Sequence, residues 1–153
     1  MDFFELTNIQ SIKLTLDTDD FLKVCDKLKE TKDCRLKENR LYNYIVGGIF
    51  DDRISTYVSY DKDKMNGCVI LTLQRDLIGD LTLFIVYMFI DRHYPKLSLE
   101  YVKFIEEKAI ELKADKISFT THRNPKVIER KYRQFGYKHR CSVIEKVIKK
   151  EVV

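Results

Sequence analysis

"LTLFIVYMFID" (81–91), "RHYPKLS" (92–98) and "LEYVKFIEEKAIEL" (99–112) follow one another without a break. The uninterrupted apolar run from Leu83 to Ile90 reads as a central strand covered on both faces, because a strand with one wet face would alternate. A short polar crossing then leads into a helix predicted over Leu99–Lys113. Val102, Ile105, Ala109 and Leu112 share one face of it, and Glu106, Glu107, Lys108 and Glu111 face water. "ADK" ends the helix, and "ISFTT" (117–121) is short and rich in β-formers. Strand, crossover helix and strand make a right-handed βαβ unit, which predicts that Ile117 to Thr121 runs parallel to the Leu81 strand.

Working upstream, "RISTYVSYD" (53–61) and "GCVILTLQRD" (67–76) carry the β-branched and aromatic residues of strands, with "KDKMN" (62–66) as a hairpin turn between them. "LIGD" (77–80) supplies a second tight turn, so three antiparallel strands form a meander that ends in the βαβ unit. Earlier still, Ile12, Leu14 and Leu16 alternate as in a half-buried strand. Asp17 or Thr18 then caps a helix carrying Phe21, Leu22, Cys25 and Leu28, expected to reach about Glu30. From Thr31 to Asp52 the pattern is weaker and fits a second short helix broken near Gly47 and Gly48. Downstream, "HRNPKVIERKYRQFGYK" (122–138) has both helix ends written in: Asn124 as N-cap, Pro125 in the first turn and Gly136 as the stop. "CSVIEKVI" (141–148) reads as a last strand. The expected fold class is α/β (α+β), one domain over 1–153, with a mixed, mostly antiparallel central sheet flanked by helices around a parallel βαβ core.

Composition sets outer limits on function. With 153 residues, 44% hydrophobic and 34% charged, the chain has enough apolar material for one full core. Its longest apolar run, Leu81 to Ile90, falls short of the roughly 20 residues a membrane span requires. Met1 leads into "DFFELTN" rather than a basic and then apolar leader, so a cytoplasmic protein without membrane partners is expected. Cys25, Cys34, Cys68 and Cys141 lack metal spacing and read as reduced thiols. His93, His122 and His139 are far apart with no Cys at ligand spacing, so no metal site is expected. There is no nucleophile elbow, phosphate loop or dinucleotide fingerprint. The net charge of +4 permits a phosphate-bearing ligand or nucleic acid and requires neither.

The element order β, α, weak α, then β-β-β-α-β-α-β resembles the GNAT (GCN5-related N-acetyltransferase) superfamily. The likeness is sharpest in "NPKVIERKYRQFGYK" (124–138), where Tyr132, Gly136 and Tyr137 match a segment of the form Y-x-x-x-G-[FY]. It spans Ile54 to Ile148 in element order and fits the first fifty residues loosely. It implies a soluble N-acyltransferase that passes an acetyl group from acetyl-CoA to an amine of a small molecule or protein.

The same resemblance places the CoA pyrophosphate at "RHYPKLS", and there the chain departs from the family pattern. Aligned on Asp91 and Tyr94, the family form V-D-P-x-Y-R-G-x-G-x-G puts Pro95 at the Arg or Gln, Lys96 and Ser98 at the first two glycines and Glu100 at the last, and no glycine survives. Those glycines admit a pyrophosphate to backbone N–H groups at a helix N-terminus. Pro95 has no N–H, the side chains of Lys96, Leu97 and Ser98 crowd the approach, and Glu100 adds like charge. Arg92, His93 and Lys96 can replace the lost donors with charge, and Ser98 can cap the helix; the alternative is a merely solvated loop. By resemblance the CoA contacts fall on Met88, Phe89, Ile90, Arg92, Lys96, Leu97, Ser98 and Asn124. Backbone groups around Met88 to Ile90 would pair with the pantetheine amides like an added strand.

Acyl transfer from CoA needs a base for the amine and an acid for the departing thiolate. The resemblance gives the acid role to Tyr132, although Ile128, Tyr132 and Phe135 also form an apolar face at spacings of four and three. His93 is the candidate base, through a water. From Arg123 to Arg140, Arg123, Lys126, Arg130, Lys131, Arg133, Lys138 and Arg140 face Glu129 alone. That run fits the CoA 3′-phosphate, a nucleic-acid footprint or a solvated helix face. The rival function is therefore a GNAT-fold protein without acyl transfer that binds nucleic acid or a protein through the helix over 124–136. A homodimer is left open.

Overall fold

Two tight turns and one crossover set the strands between Ile54 and Phe119 side by side in sequence order. A computed structural model of the chain describes residues 1–7, 47, 51–121, 124–140, 144, 146 and 148. The strands are β1 (Phe3–Glu5), β2 (Ile54–Asp61), β3 (Lys64–Arg75), β4 (Leu81–Ile90) and β5 (Lys116–Phe119). The helices are α1 (Leu97–Glu111) and α2 (Pro125–Tyr132), the latter running into a 3-10 turn at Arg133–Phe135. These five strands form one sheet in the order β1-β2-β3-β4-β5, antiparallel throughout except for the parallel β4–β5 pair. This is the mixed sheet with a βαβ core that the sequence predicts. The readings of a strand at Ile12–Leu16, of a helix to Glu30 and, apart from the helical Gly47, of a second helix before Asp52 lie outside the described residues. So does the closing strand over 141–148, apart from three single residues. The chain divides into two units, Met1–Thr120 and Thr121–Val153.

In the first unit the β2–β3 hairpin is tighter than the sequence suggests. Pairing continues to Asp61↔Lys64, so the turn is Lys62 and Asp63, with Lys62 left-handed at φ 55°. Met65 and Asn66, expected in the turn, belong to β3 and are buried. The physical reason is that Met65 finds a place in the apolar cluster with Val58, Cys68 and Ile70, which compensates a modest αL cost at Lys62. Asn66 is an extra residue on β3: Ser59 pairs Gly67 and Tyr60 pairs Met65.

A second bulge shapes β4. Ile70 pairs Tyr87 and Leu71 pairs Ile85, which leaves Val86 unopposed. Since side chains alternate, one extra residue exchanges the faces. Leu83 and Ile85 before the bulge, and Met88 and Ile90 after it, therefore all join the cluster under α1, while Val86 and Tyr87 turn to the other side. The helix covers this face with Leu97, Tyr101, Ile105 and Ala109. It starts at Leu97, two residues before the predicted start, because the Leu97 side chain is 2% exposed and anchors the first turn in the core. Leu112 falls outside the buried face, as the residue that ends the helix. Tyr101, absent from the expected face, is fully buried on it.

In the second unit, α2 has the ends the sequence specifies. Asn124 Oδ1 accepts the Lys126 N–H at 3.0 Å, Pro125 opens the helix, and Gly136 closes the following turn at φ 85°, a conformation glycine adopts without penalty. Tyr132 makes ring contacts with Phe135 and Tyr137, at centroid distances of 6.5 and 6.0 Å. No described helix is long and apolar enough to cross a membrane.

Candidate functional site

The site begins where β4 outruns its parallel neighbour. β5 pairs only with Thr82 to Ile85, and no described strand flanks β4 on that side from Val86 to Ile90. Which backbone groups face the open edge follows from the register. The Asp91 N–H donates to the Asn66 carbonyl at 2.8 Å, so Asn66 and Asp91 are a hydrogen-bonded pair. Such pairs alternate along an antiparallel ladder. Cys68↔Phe89 is then hydrogen-bonded as well, and the backbone groups of Met88 and Ile90 point away from β3 to the open edge. Of the three residues singled out in the sequence, Phe89 has its backbone engaged with β3, and Met88 and Ile90 offer theirs.

Beyond β4, Asp91 organises the loop. Its Oδ1 accepts the His93 N–H at 2.9 Å and lies 2.7 Å from His93 Nδ1, while its Oδ2 stands 3.5 Å from Lys64 Nζ. The His93 amide, followed by its ring and Lys64, holds the Asp91 carboxyl below the usual carboxylate range. With Nδ1 directed at Asp91, Nε2 of the exposed His93 is the nitrogen left for other chemistry. The Tyr94 hydroxyl donates to Asp61 Oδ2 at 2.8 Å, a second tie from the β2–β3 hairpin to the loop.

Three of the six amides from Arg92 to Ser98 are already committed. Besides His93, Tyr94 N–H donates to the Asp91 carbonyl at 3.0 Å and Leu97 N–H to the Tyr94 carbonyl at 3.0 Å, and Pro95 has none. Lys96, at the N-cap, makes no side-chain cap. Ser98 does not cap the helix either: it lies inside the first turn and its hydroxyl donates to the Pro95 carbonyl at 3.4 Å. The amides of Ser98 and Leu99 therefore have no partner among the described residues. Arg92, His93 and Lys96 are exposed around this end of the helix, Leu97 is buried, and the helix dipole adds favourable potential for an anion.

One fold unit thus brings together Met88, Phe89, Ile90, Arg92, His93, Lys96, Leu97 and Ser98. Asn124 and Tyr132 stand in the other unit, Asn124 as the N-cap of α2 and Tyr132 half-buried at its end. The sequence reading missed a buried polar set on the α1 side of the sheet: Ser59 Oγ donates to Asn66 Oδ1 at 2.7 Å and lies 2.8 Å from the Tyr101 hydroxyl. Burial pushes the Tyr101 phenol well above its ordinary range, so it stays protonated. Two signals pointed to it: the spacing of four in Leu97, Tyr101 and Ile105, and Gly67 standing in a run of strand formers.

The fold matches solved structures along nearly the whole chain. A tetramutant of the BH1408 protein of Bacillus halodurans superposes with TM-score 0.68 at 15% identity, over 97% of this chain and 100% of that one. AAC(6')-Iy in complex with a CoA-containing bisubstrate analogue gives TM-score 0.69 at 8% identity, over 97% of both chains. The fold is the GNAT fold. The ribosomal-protein-alanine N-acetyltransferase of Brucella melitensis shares it too, with TM-score 0.61 at 13% identity over 97% of this chain and 99% of that one. No family model matches the sequence, and no curated protein does. Identities this low carry the GNAT architecture and leave the activity to be argued from the residues.

Proposed function

We propose that the protein is an N-acetyltransferase that moves an acetyl group from acetyl-CoA to a primary amine of a small molecule or protein. The observation that carries the reading is the open edge at Met88 and Ile90 leading into the unpartnered amides of Ser98 and Leu99. A pantetheine arm has amides spaced to pair with such an edge, and a pyrophosphate suits a helix N-terminus. Arg92 and Lys96 add charged donors for its phosphates. Two of the structural neighbours support the choice of ligand: AAC(6')-Iy was solved with CoA and with a CoA bisubstrate analogue.

In this reading the amine attacks the acetyl carbonyl, the tetrahedral intermediate collapses, and the C–S bond breaks. His93, oriented by Asp91, receives the ammonium proton at Nε2 through a water. Tyr132 gives its phenolic proton to the departing thiolate, and Asn124 fixes the start of the helix that carries Tyr132. Each proton lost by the amine is matched by one delivered to sulfur, so the cycle closes through solvent.

Thermal unfolding with added acetyl-CoA tests the proposal. A ligand at about 100 times its dissociation constant stabilises by roughly 2.7 kcal/mol, a shift of several degrees. An unmoved melting temperature at millimolar acetyl-CoA removes the enzyme reading. A second reading, a GNAT-fold binding protein without transfer, draws on the committed loop amides. It also draws on α2, where Lys126, Arg130 and Lys131 are exposed and Glu129 already accepts from Arg133 and the His139 amide. Salt-dependent binding of single-stranded RNA or DNA by the protein, in the absence of any acetyl-CoA response, favours it.

A further inference from the structure

The two ends of the Arg92–Lys96 loop are joined by a buried path of hydrogen bonds that uses no atom of the loop. Asp91 N–H donates to the carbonyl of Asn66, the bulged residue of β3. Asn66 Oδ1 accepts from the Ser59 hydroxyl, whose single proton is then spent. The 2.8 Å contact between Ser59 Oγ and Tyr101 is therefore donated by the Tyr101 hydroxyl. Tyr101 lies one turn into α1, and Ser59, Asn66 and Tyr101 are each fully buried. Gly67 gives the ring its place, since a Cβ there would meet the Tyr101 ring at 2.6 Å and its hydroxyl at 2.5 Å.

Stability alone does not account for this set. Asn66 Nδ2 is buried with no hydrogen-bond partner among the described residues, and an incompletely satisfied polar group costs free energy that an apolar group of the same shape would not. What the set does supply is a fixed spacing. One end is the last ladder bond of β4, the other is the second turn of the helix.

We infer that Tyr101 is a positioning residue for the proposed ligand site: through Ser59 and Asn66 it holds the N-terminus of α1 at a set distance from the end of β4. It thereby fixes where the Ser98 and Leu99 amides stand relative to the Met88–Ile90 edge. The inference rests on the acetyl-CoA reading for the identity of the ligand. It matters here because the Ser98 and Leu99 amides are first-turn donors left open to an anion.

Tyr101→Phe removes the hydroxyl and keeps the ring, and Ser59→Ala removes the acceptor and keeps the tyrosine. Backbone amide resonances and residual dipolar couplings of Ser98 and Leu99 in the ligand-free protein read the helix end. Calorimetric titration with acetyl-CoA reads the proposed site. Both variants are expected to reorient the Ser98 and Leu99 N–H vectors and to weaken acetyl-CoA about fivefold to tenfold, with kcat at saturating acetyl-CoA unchanged. A lower melting temperature with unmoved Ser98 and Leu99 couplings and unaltered affinity overturns the inference and leaves Tyr101 as core. If Tyr101→Phe does not fold, Ser59→Ala decides by the same readings. If the wild-type protein does not bind acetyl-CoA, the functional reading falls, while the couplings still decide whether Tyr101 places the helix end.

Discussion

A Cβ on Gly67 would stand 2.5 Å from the hydroxyl oxygen of Tyr101, closer than such atoms approach without displacement. The two residues lie on different elements, β3 and α1, and each makes room for the other. Gly67→Ala should therefore push the ring off Ser59 and destabilise the protein by about 1–3 kcal/mol, the usual cost of overpacking a filled core. Urea denaturation of the variant measures this, and an unchanged midpoint would refute it.

Asp91 links stability to pH. Its folded pKa is depressed, mainly by the His93 amide, so its contribution is fully present above the unfolded carboxylate pKa and is lost as pH falls through the lower folded value. Asp91→Asn should then be less stable than wild type near pH 7. The gap should narrow as the pH drops below about 4. Chemical denaturation of both proteins at neutral and acid pH follows the difference, and a gap that widens on acidification contradicts the assignment.

Lys96 is exposed at the N-cap of α1, next to the open amides. Lys96→Glu should weaken acetyl-CoA binding by about tenfold at low ionic strength, with the loss shrinking as salt screens the interaction. Titrations at two salt concentrations measure both parts of that statement.

For Tyr132 the expected signature is kinetic. Tyr132→Phe should lower kcat by on the order of 100-fold while leaving KM for acetyl-CoA nearly unaltered, as suits a proton donor. Unimpaired turnover would take the acid role from it and leave its contacts with Phe135 and Tyr137 as its function.

Asn124 caps α2 through a single 3.0 Å bond to the Lys126 amide. Asn124→Ala should cost about 1 kcal/mol locally, read as roughly fivefold faster hydrogen exchange at Lys126.

Much of this protein is legible in its sequence because the signals are local. The apolar run ending at Ile90, the helical spacing from Val102 to Ala109 and the Asn124, Pro125 and Gly136 punctuation each depend on a residue and its near neighbours. Hence the β2–β3–β4 meander and the βαβ crossover were readable, and so was the absence of glycines from "RHYPKLS", whereas the edge strand at Phe3–Glu5 was not. The start of α1 at Leu97 and the short Lys62–Asp63 turn were not, since each was settled by a side chain finding a place in the core.

The sequence by itself determined the order of elements from β2 to α2, the ends of α2 and the chemical character of the loop after β4; the strand at Phe3–Glu5 was not read from it. Tertiary structure alone decided the two bulges, at Asn66 and Val86, and with them which residues face α1 and which backbone groups face the open edge. A bulge is a mismatch between two strands, so neither strand encodes it alone. The same holds for the path from Asp91 through Asn66 and Ser59 to Tyr101, whose members are distant in the chain and meet only because the sheet and helix bury them together.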